Sequence, residues 1–142
     1  MKKYSRILLI SLFAFFLSGC ATNTKWSRYE ICFGLSADAG KTVITEQQWQ
    51  QFQDNEIAGR FPDGFTVFTA TGHWREGDKT FSEPSRILMV VAPGSEETDY
   101  KINAIARTYA EKFSQQSVLE IKSSAAARFI KPRREFSPAE AR

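Results

Sequence analysis

The side chain best suited to proton transfer in this chain of 142 residues is its single histidine, His73. An unperturbed imidazole has a pKa of about 6.5, so it can act as a general acid or base at neutral pH. A hairpin predicted below places Glu83 across from His73, where a carboxylate would orient the ring. Because a single histidine on a strand is more often structural, we assign no catalytic residue.

Two arginines and a tryptophan carry the chemistry of ligand binding. A guanidinium offers a planar fork of donors for a carboxylate or phosphate, and an indole offers a flat face for stacking. Arg60, His73, Trp74 and Arg75 are the candidate ligand-binding residues. A single strand would separate Arg60 from Arg75 by roughly 45 Å at ~3.3 Å per residue, which argues against one shared site unless the strand bends or a second subunit contributes. The structural alternative pairs Arg60 with Glu56 and packs Trp74 at the edge of the core.

The cysteines and the missing motifs limit the chemistry further. The sequence contains no glycine-rich phosphate loop, no Gly-x-Ser-x-Gly elbow and no His-Glu-x-x-His zinc motif. One histidine and two cysteines rule out a four-cysteine zinc site and leave few ways to build a catalytic zinc centre. Cys32 lies in an apolar strand and is interpreted as a buried small hydrophobic residue. We predict no metal, no cofactor and no disulfide.

The first twenty residues have the features of an export signal. Lys2, Lys3 and Arg6 precede an uncharged, mostly apolar run over residues 7–17. A membrane-spanning helix needs about 20 apolar residues, whereas the apolar core of a signal peptide has about 7–15. Residues 1–19 are therefore predicted to be a signal peptide.

The end of this run, Leu17-Ser18-Gly19-Cys20, resembles the lipobox of bacterial lipoproteins. The resemblance implies cleavage between Gly19 and Cys20 and acylation of Cys20, which would anchor the protein in a membrane. Two or more acyl chains give lasting attachment. Because Ala21 stands where an aspartate marks inner-membrane retention in such lipoproteins, the resemblance implies an outer-membrane location facing the periplasm, if the source has two membranes. An ordinary signal peptide with a coincidental cysteine and an uncleaved anchor are the alternatives.

The charge of the mature chain gives no argument for nucleic-acid binding. The whole chain has 19 basic and 16 acidic residues, but three of the basic residues lie in the predicted signal peptide. The mature part is therefore neutral, and we predict no nucleic-acid partner.

Periodicity predicts an α+β domain between a tether and a tail. Alternating apolar residues predict strands, and spacings of three and four predict helices. The predicted order is a strand over residues 28–35, a helix that starts at Thr45, a turn over 60–64 and a strand over 65–74. A polar hairpin loop over 75–79, a strand over 85–92 that is apolar on both faces, a helix over 96–114 and a strand over 117–123 follow. Thr45 and Gln48 form a predicted capping box, and Gly59 is expected to take a left-handed conformation after the helix. The predicted divisions are 1–19 signal peptide, 20–27 lipidated tether, 28–123 domain and 124–142 basic, largely disordered tail.

The order β-α-β-β-α-β is that of a ferredoxin-like sandwich, with a four-stranded antiparallel sheet and two helices on one face. The other sheet face carries Phe, Trp and Thr side chains and needs a partner. A homodimer through this open face is one solution, and coverage by the tail of the same chain is the other.

Four separated strings in the middle of the chain resemble those of domain-of-unknown-function family number 3574. These are Tyr-Glu-Ile-Cys-Phe-Gly-Leu-Ser at 29–36, Arg-Phe-Pro-Asp-Gly-Phe-Thr-Val at 60–67, Gly-His-Trp-Arg at 72–75 and Gln-Gln-Ser-Val-Leu at 115–119. The family consists of small exported bacterial proteins, many with lipoprotein signals. The resemblance implies the fold and export, and it implies no activity.

Two functions follow from these features. The first is a membrane-anchored envelope lipoprotein of unknown specific activity, a non-catalytic module that binds a protein, a glycan or a small molecule. The alternative is a small dimeric α/β-barrel enzyme or small-molecule binder that uses His73 and Arg75, an argument from fold analogy alone. A deep cavity lined by His73 and a carboxylate favours the second, and a flat face favours the first. We predict the first.

Overall fold

The computed structural model describes residues 25–37 and 42–132 of the chain. The predictions about the signal peptide, the cleavage after Gly19 and the lipid on Cys20 lie outside these residues, as does the tail from residue 133. Over the two described stretches, no helix combines the length and the apolar character that crossing a membrane requires.

Four strands form one antiparallel sheet, and two helices pack on one of its faces. The sheet consists of β1 (Trp26–Gly34), β4 (Thr66–Glu76), β5 (Lys79–Pro93) and β6 (Leu119–Ala125). Two further short strands, β2 (Ser36–Ala37) and β3 (Thr42–Val43), lie outside it. The large sheet has the order β4-β5-β1-β6 with every neighbouring pair antiparallel, and the short strands β2 and β3 pair with each other. This order confirms the predicted ferredoxin-like fold. It also places β5 inside the sheet, as the apolar residues on both of its faces predict.

The first helix begins at the predicted capping box and ends differently from the prediction. In α1 (Glu46–Phe52), the Thr45 hydroxyl accepts a hydrogen bond from the Gln48 amide, and the Gln48 side chain accepts one from the Thr45 amide. A π-helical turn over Gln53–Ala58, which the sequence does not predict, continues the helix.

Gly59 does not take the expected left-handed conformation, because its φ is −68°. The amides of Arg60 and Phe61 both donate to the carbonyl of Ile57 at 3.0 Å, so the chain keeps a right-handed turn beyond Gly59. The left-handed conformation occurs instead at Gly64, with φ of 123°, where the sequence predicts a turn.

The second helix, α2 (Glu96–Lys112), begins after Ser95, whose hydroxyl accepts a hydrogen bond from the Thr98 amide. Acidic residues in its first turn favour the positive end of the helix dipole. Its buried positions include three apolar residues of the predicted stripe: Ile102, Ile105 and Tyr109.

An aromatic cluster joins the helices to the sheet. The Phe33 ring of β1 lies 5.4 Å from Trp49, 5.9 Å from Phe52 and 4.5 Å from Tyr109, measured between ring centroids. All four side chains are buried. The Tyr109 hydroxyl donates a 2.7 Å hydrogen bond to the carbonyl of Gly34, so its polar atom is satisfied inside the core.

The β4–β5 hairpin extends well beyond the rest of the sheet. In the strand ladders, β1 pairs with β5 only from Ser85 onward, so residues 79–84 of β5 pair with β4 alone. We call residues 71–84 the arm. Its six residue pairs give it a length of about 20 Å at ~3.3 Å per residue. The sequence predicts a polar loop over part of this stretch, but the structure pairs it as strand up to a turn at Gly77, where φ is 58°.

A polar triad fastens the start of α2 to two strands. The Tyr29 hydroxyl donates to Asp99 Oδ1 at 2.7 Å, and Lys122 Nζ lies 2.6 Å from the same oxygen. The hydrogen bonds from Lys122 and Tyr29 lower the pKa of Asp99. Burial, followed by the Asp99 hydrogen bond, raises the pKa of Tyr29, and the hydrogen bond to Asp99 raises the pKa of Lys122. The triad therefore ties β1, β6 and α2 together at one end of the sheet.

Candidate interaction surface on the open sheet face

The face of the sheet opposite the helices carries several exposed apolar side chains. Side chains alternate between the two faces of a strand, and the register assigns each residue to one of them. We call this the open face, and its large apolar residues that remain exposed are Phe68, Trp74, Phe81, Val91, Leu119 and Ile121. Exposed apolar residues that share one face make this face a candidate interaction surface.

One row of the open face crosses all four strands. Leu119 pairs with Cys32, Cys32 with Ile87, and Ile87 with Phe68. Leu119 and Phe68 are exposed at the two edges, whereas Cys32 and Ile87 are partly buried between them. The row therefore presents an uninterrupted apolar strip across the full width of the sheet.

The thiol of Cys32 lies within this strip and is unsuited to nucleophilic chemistry. Burial, with a smaller contribution from the charge of Glu30, raises the pKa of the Cys32 thiol. A raised pKa leaves less of the reactive thiolate at neutral pH. The structure leaves Cys32 as a free cysteine and places it as a partly buried small apolar residue.

The row of the open face beside the apolar strip consists of small residues. Gly34, Ser85 and Ala70 form this row, on the side toward the arm. The Glu83 side chain lies over Gly34 and occupies the space where a Cβ on Gly34 would lie. The Ser36 amide donates a 3.1 Å hydrogen bond to Glu83 Oε2. The absence of a side chain at Gly34 therefore allows a carboxylate to lie flat against the sheet.

The arm extends the open face with a stacked aromatic pair. Trp74 and Phe81 face each other across β4 and β5, with ring centroids 5.5 Å apart and planes inclined by 16°. Trp74 is 42% exposed and Phe81 is 38% exposed, so Trp74 does not pack at the edge of the core. The pair keeps one broad surface of the arm apolar.

The predicted ligand-binding arginines stabilise their own turns. Arg60 Nη1 lies 2.8 Å from Glu56 Oε2 and donates to the Glu56 carbonyl at 2.6 Å, which is the structural alternative stated above. Arg75 Nε donates to the Gly77 carbonyl at 2.9 Å, and its guanidinium lies 3.5 Å from Asp78 at the tip of the arm. The two arginines therefore bind their own neighbours and do not converge.

The structure places His73 away from a carboxylate partner. His73 pairs with Ser82 across the arm, while Glu83 pairs with Gly72, so His73 and Glu83 point to opposite faces. His73 is exposed. The expectation that Glu83 orients His73 is therefore wrong. It requires His73 to pair with Glu83, whereas the observed register of β4 and β5 pairs His73 with Ser82.

Cavities and metal clusters give no second candidate in the described part of the chain. Residues 25–37 and 42–132 contain no group of three or more histidine, cysteine, aspartate or glutamate side chains that would hold a metal ion. A shallow, open depression lies at the end of the sheet opposite the arm and is lined by residues 25–26 and 124–128. None of the four candidate ligand-binding residues lines it.

Sequence reasoning identified the open face but missed most of its residues. Leu119 and Ile121 alternate in the last predicted strand, and this alternation is the signal that could have placed them on one face. Their position beside Cys32 and Glu30 depends on the pairing of β6 with β1, which the sequence does not specify. The same applies to Glu83, whose contact with Gly34 joins residues far apart in the chain.

Comparisons with known proteins support the fold. The sequence model of a family described as "Protein of unknown function (DUF3574)" matches residues 28–129. No curated protein matches the chain. A structure of a phage SAM lyase in complex with S-methyl-5′-thioadenosine superposes with a TM-score of 0.55 at 20% identity, covering 71% of this chain and 81% of that chain. A phage SAM lyase in the apo state gives a TM-score of 0.53 at 17% identity, covering 76% and 94%. At these identities the likeness concerns the fold alone.

Proposed function

We propose a function for this chain, which belongs to the DUF3574 family of unknown function, from its sequence and its geometry. The protein is a membrane-anchored envelope lipoprotein held through Cys20, and in a source with two membranes it faces the periplasm from the outer membrane. Its folded part is a non-catalytic binding module that acts through the open face. The observation that carries this proposal is the apolar strip across all four strands together with the aromatic pair on the arm.

The geometry favours the binding module over the enzyme alternative. An enzyme or small-molecule site normally encloses its ligand in a cavity with a few convergent polar groups. In the described residues His73 is exposed on one face of the arm, and Arg75 is engaged by the turn at its tip. The open face instead offers a wide surface with large apolar side chains, which is typical of contacts between proteins.

The occupant that we propose for the open face is a second copy of the chain. Arg28 and Glu30 on this face form an ion pair with each other, and Glu83 is bound by a backbone amide. Because these groups already have partners within each copy, burying them between two copies leaves none of the three without a partner. Facing sheets pack about 10 Å apart, which allows the two apolar strips to interdigitate.

The oligomeric state of the purified protein tests this occupant. We expect a dimer by sedimentation equilibrium, and we expect Phe68→Glu to weaken it at least tenfold, because a charge would replace a side chain worth roughly 1.5–3 kcal/mol on burial. Tyr100→Glu is the matched control, since Tyr100 is an aromatic residue 76% exposed on α2. A wild-type protein that stays monomeric at high concentration would exclude the dimer.

Replacing Cys20 with serine tests the anchor. We expect the wild-type protein to fractionate with membranes and to carry a lipid label, and we expect Cys20→Ser to lose both. Cys32→Ser is the matched control and should keep both, because Cys32 lies within the folded sheet. A Cys20→Ser protein that remains in the membrane fraction would contradict lipidation as the means of attachment.

Small-molecule binding is the second candidate, and the row of small residues Gly34, Ala70 and Ser85 favours it. A carboxylate, Glu83, lies over this row at Gly34, and the phage SAM lyase with a similar fold binds S-methyl-5′-thioadenosine. Isothermal titration of the protein with S-methyl-5′-thioadenosine tests this candidate. Saturable heat that Glu83→Ala abolishes would favour it, and absence of heat would favour the binding module.

A further inference from the structure

We propose that the segment Arg128–Lys131, which we call the basic segment, binds an anionic lipid surface, so that the end of the domain opposite the arm faces the membrane. This inference rests on the membrane setting of the proposed function and adds a contact and an orientation to it. Phe129 is 87% exposed and Ile130 is 82% exposed. Arg128 and Lys131 flank them, and Arg133 and Arg134 follow in the sequence.

The composition of the basic segment fits a bilayer interface. Each lysine or arginine near an anionic membrane surface strengthens binding about fivefold. Apolar side chains such as those of Phe129 and Ile130 gain by insertion between headgroups. The exposure of Phe129 and Ile130 shows that these two residues do not cover the open face.

The fold brings the basic segment and the tether to the same place. Trp26 pairs with Ala125, so the start of β1 and the end of β6 are neighbours in the ladder. Trp26, the first residue of β1, follows Cys20 by six residues, which span at most about 22 Å. Phe129 follows Ala125 by four residues, and at ~3.6 Å per extended residue it lies at most about 14 Å from Ala125. A lipid on Cys20 therefore holds the basic segment within reach of the bilayer.

Acidic residues at this end of the domain are partly compensated. The first turn of α2 begins beside the Trp26 end of the sheet, because Pro93 pairs with Trp26, and it contains three acids. Glu97 lies 2.6 Å from Lys101, and Asp99 forms the ion pair with Lys122 described above. The remaining acid of this turn, Glu96, is exposed and opposes binding. Residues 128–135 contain four basic residues and one acid, Glu135, so basic residues remain in excess at this end.

Protection from trypsin in vesicles tests the contact. The full-length processed protein is reconstituted in vesicles of phosphatidylcholine alone or of phosphatidylcholine with phosphatidylglycerol, and cleavage after Arg128 is timed. We expect cleavage to be slower in the anionic vesicles by up to about 25-fold, since Arg128 and Lys131 each strengthen binding to the anionic surface about fivefold. High salt should remove most of the protection, because it shortens the Debye length to about 3 Å at 1 M.

A double variant and a single control variant separate docking from general effects of the vesicles. Phe129→Ser with Ile130→Ser should abolish the protection, whereas Val43→Ser should retain it, because Val43 is an exposed apolar residue that pairs with Ser36, beyond the opposite end of β1. Equal cleavage rates in the two kinds of vesicle would overturn the inference. If the protein carries no lipid, the proposed anchor fails, but the same rates measured with the protein mixed with the vesicles still decide whether the basic segment binds.

Discussion

At the scale of single residues, Gly34 shows how a missing side chain determines a contact. We expect Gly34→Ala to lower the free energy of unfolding by about 0.5–1.5 kcal/mol, because the new Cβ would displace the Glu83 carboxylate and remove its hydrogen bond from Ser36. Urea unfolding measures the change. In a Glu83→Ala background the same substitution should cost less, since there is no carboxylate to displace.

Gly59→Ala is the matched control for this prediction. A Cβ at Gly59 meets nothing within 4 Å, and φ of −68° suits any residue. The variant should be unchanged or more stable by up to about 1 kcal/mol, because alanine restricts the unfolded chain. A loss in Gly59→Ala as large as that in Gly34→Ala would show that the contact with Glu83 is not the cause.

The triad of Tyr29, Asp99 and Lys122 predicts a dependence of stability on pH. The pKa of Asp99 is lowered in the folded state, so its contribution is present above the ordinary value of about 3.9 and is lost as the pH falls through the folded pKa. The pKa values of Tyr29 and Lys122 are raised, so their contributions are present below about pH 10 and are lost as the pH rises through the folded values.

Thermal unfolding measured against pH checks the acid limb. We expect the melting temperature of the wild-type protein to fall more steeply between about pH 4 and pH 2 than that of Asp99→Asn, which has no carboxylate to protonate at this position. Asp63→Asn, in the turn before β4, is the matched control. Parallel acid limbs for the wild-type protein and Asp99→Asn would contradict the role of the triad.

At the scale of elements, the arm is a two-stranded ribbon whose own stability depends on Trp74 and Phe81. Isolated hairpins are only marginally stable in water, so a stacked pair should matter locally. We expect Trp74→Ala to reduce hydrogen-exchange protection of arm amides about tenfold, since such pairs contribute about 0.5–1.5 kcal/mol beyond their buried area. The global unfolding midpoint should change little, because the arm lies beyond the core.

A double-mutant cycle assigns this effect to the stacked pair. Phe81→Ala in the Trp74→Ala background should add little further loss of protection, because the contact is already gone. Thr80→Ala, a neighbour on the opposite face of the arm, is the control. Full additivity of the two aromatic substitutions would show that the rings act independently.

The same scale shows what periodicity can predict. Thr45 with Gln48 and the cap at Ser95 follow from local sequence, because each is a contact over three residues. The extension of β5 back to Lys79 could not be predicted, since residues 79–84 are largely polar and include Pro84 at the base of the arm. They form strand because they pair with β4, and an edge ribbon with both faces exposed needs no apolar alternation.

At the scale of the whole molecule, the fold could be predicted from the sequence, but the residues of the candidate interaction surface could not. The order of strands and helices is enough to indicate a ferredoxin-like sheet with one uncovered face. Which residues share that face depends on register between distant strands, as the row from Leu119 to Phe68 shows. Residue chemistry alone selected Arg60 and Arg75, and both prove to stabilise local turns.

The neighbouring positions of Trp26 and Ala125 also make the domain nearly a closed loop. Paired residues in an antiparallel ladder have Cα atoms about 4.5–5.5 Å apart, so a short glycine-rich linker can join the two ends. Cutting the chain between Gly77 and Asp78 would then give a circular permutant with the same sheet and with new termini at the tip of the arm. Such a permutant would carry its fusion partners at the opposite pole from the native ends.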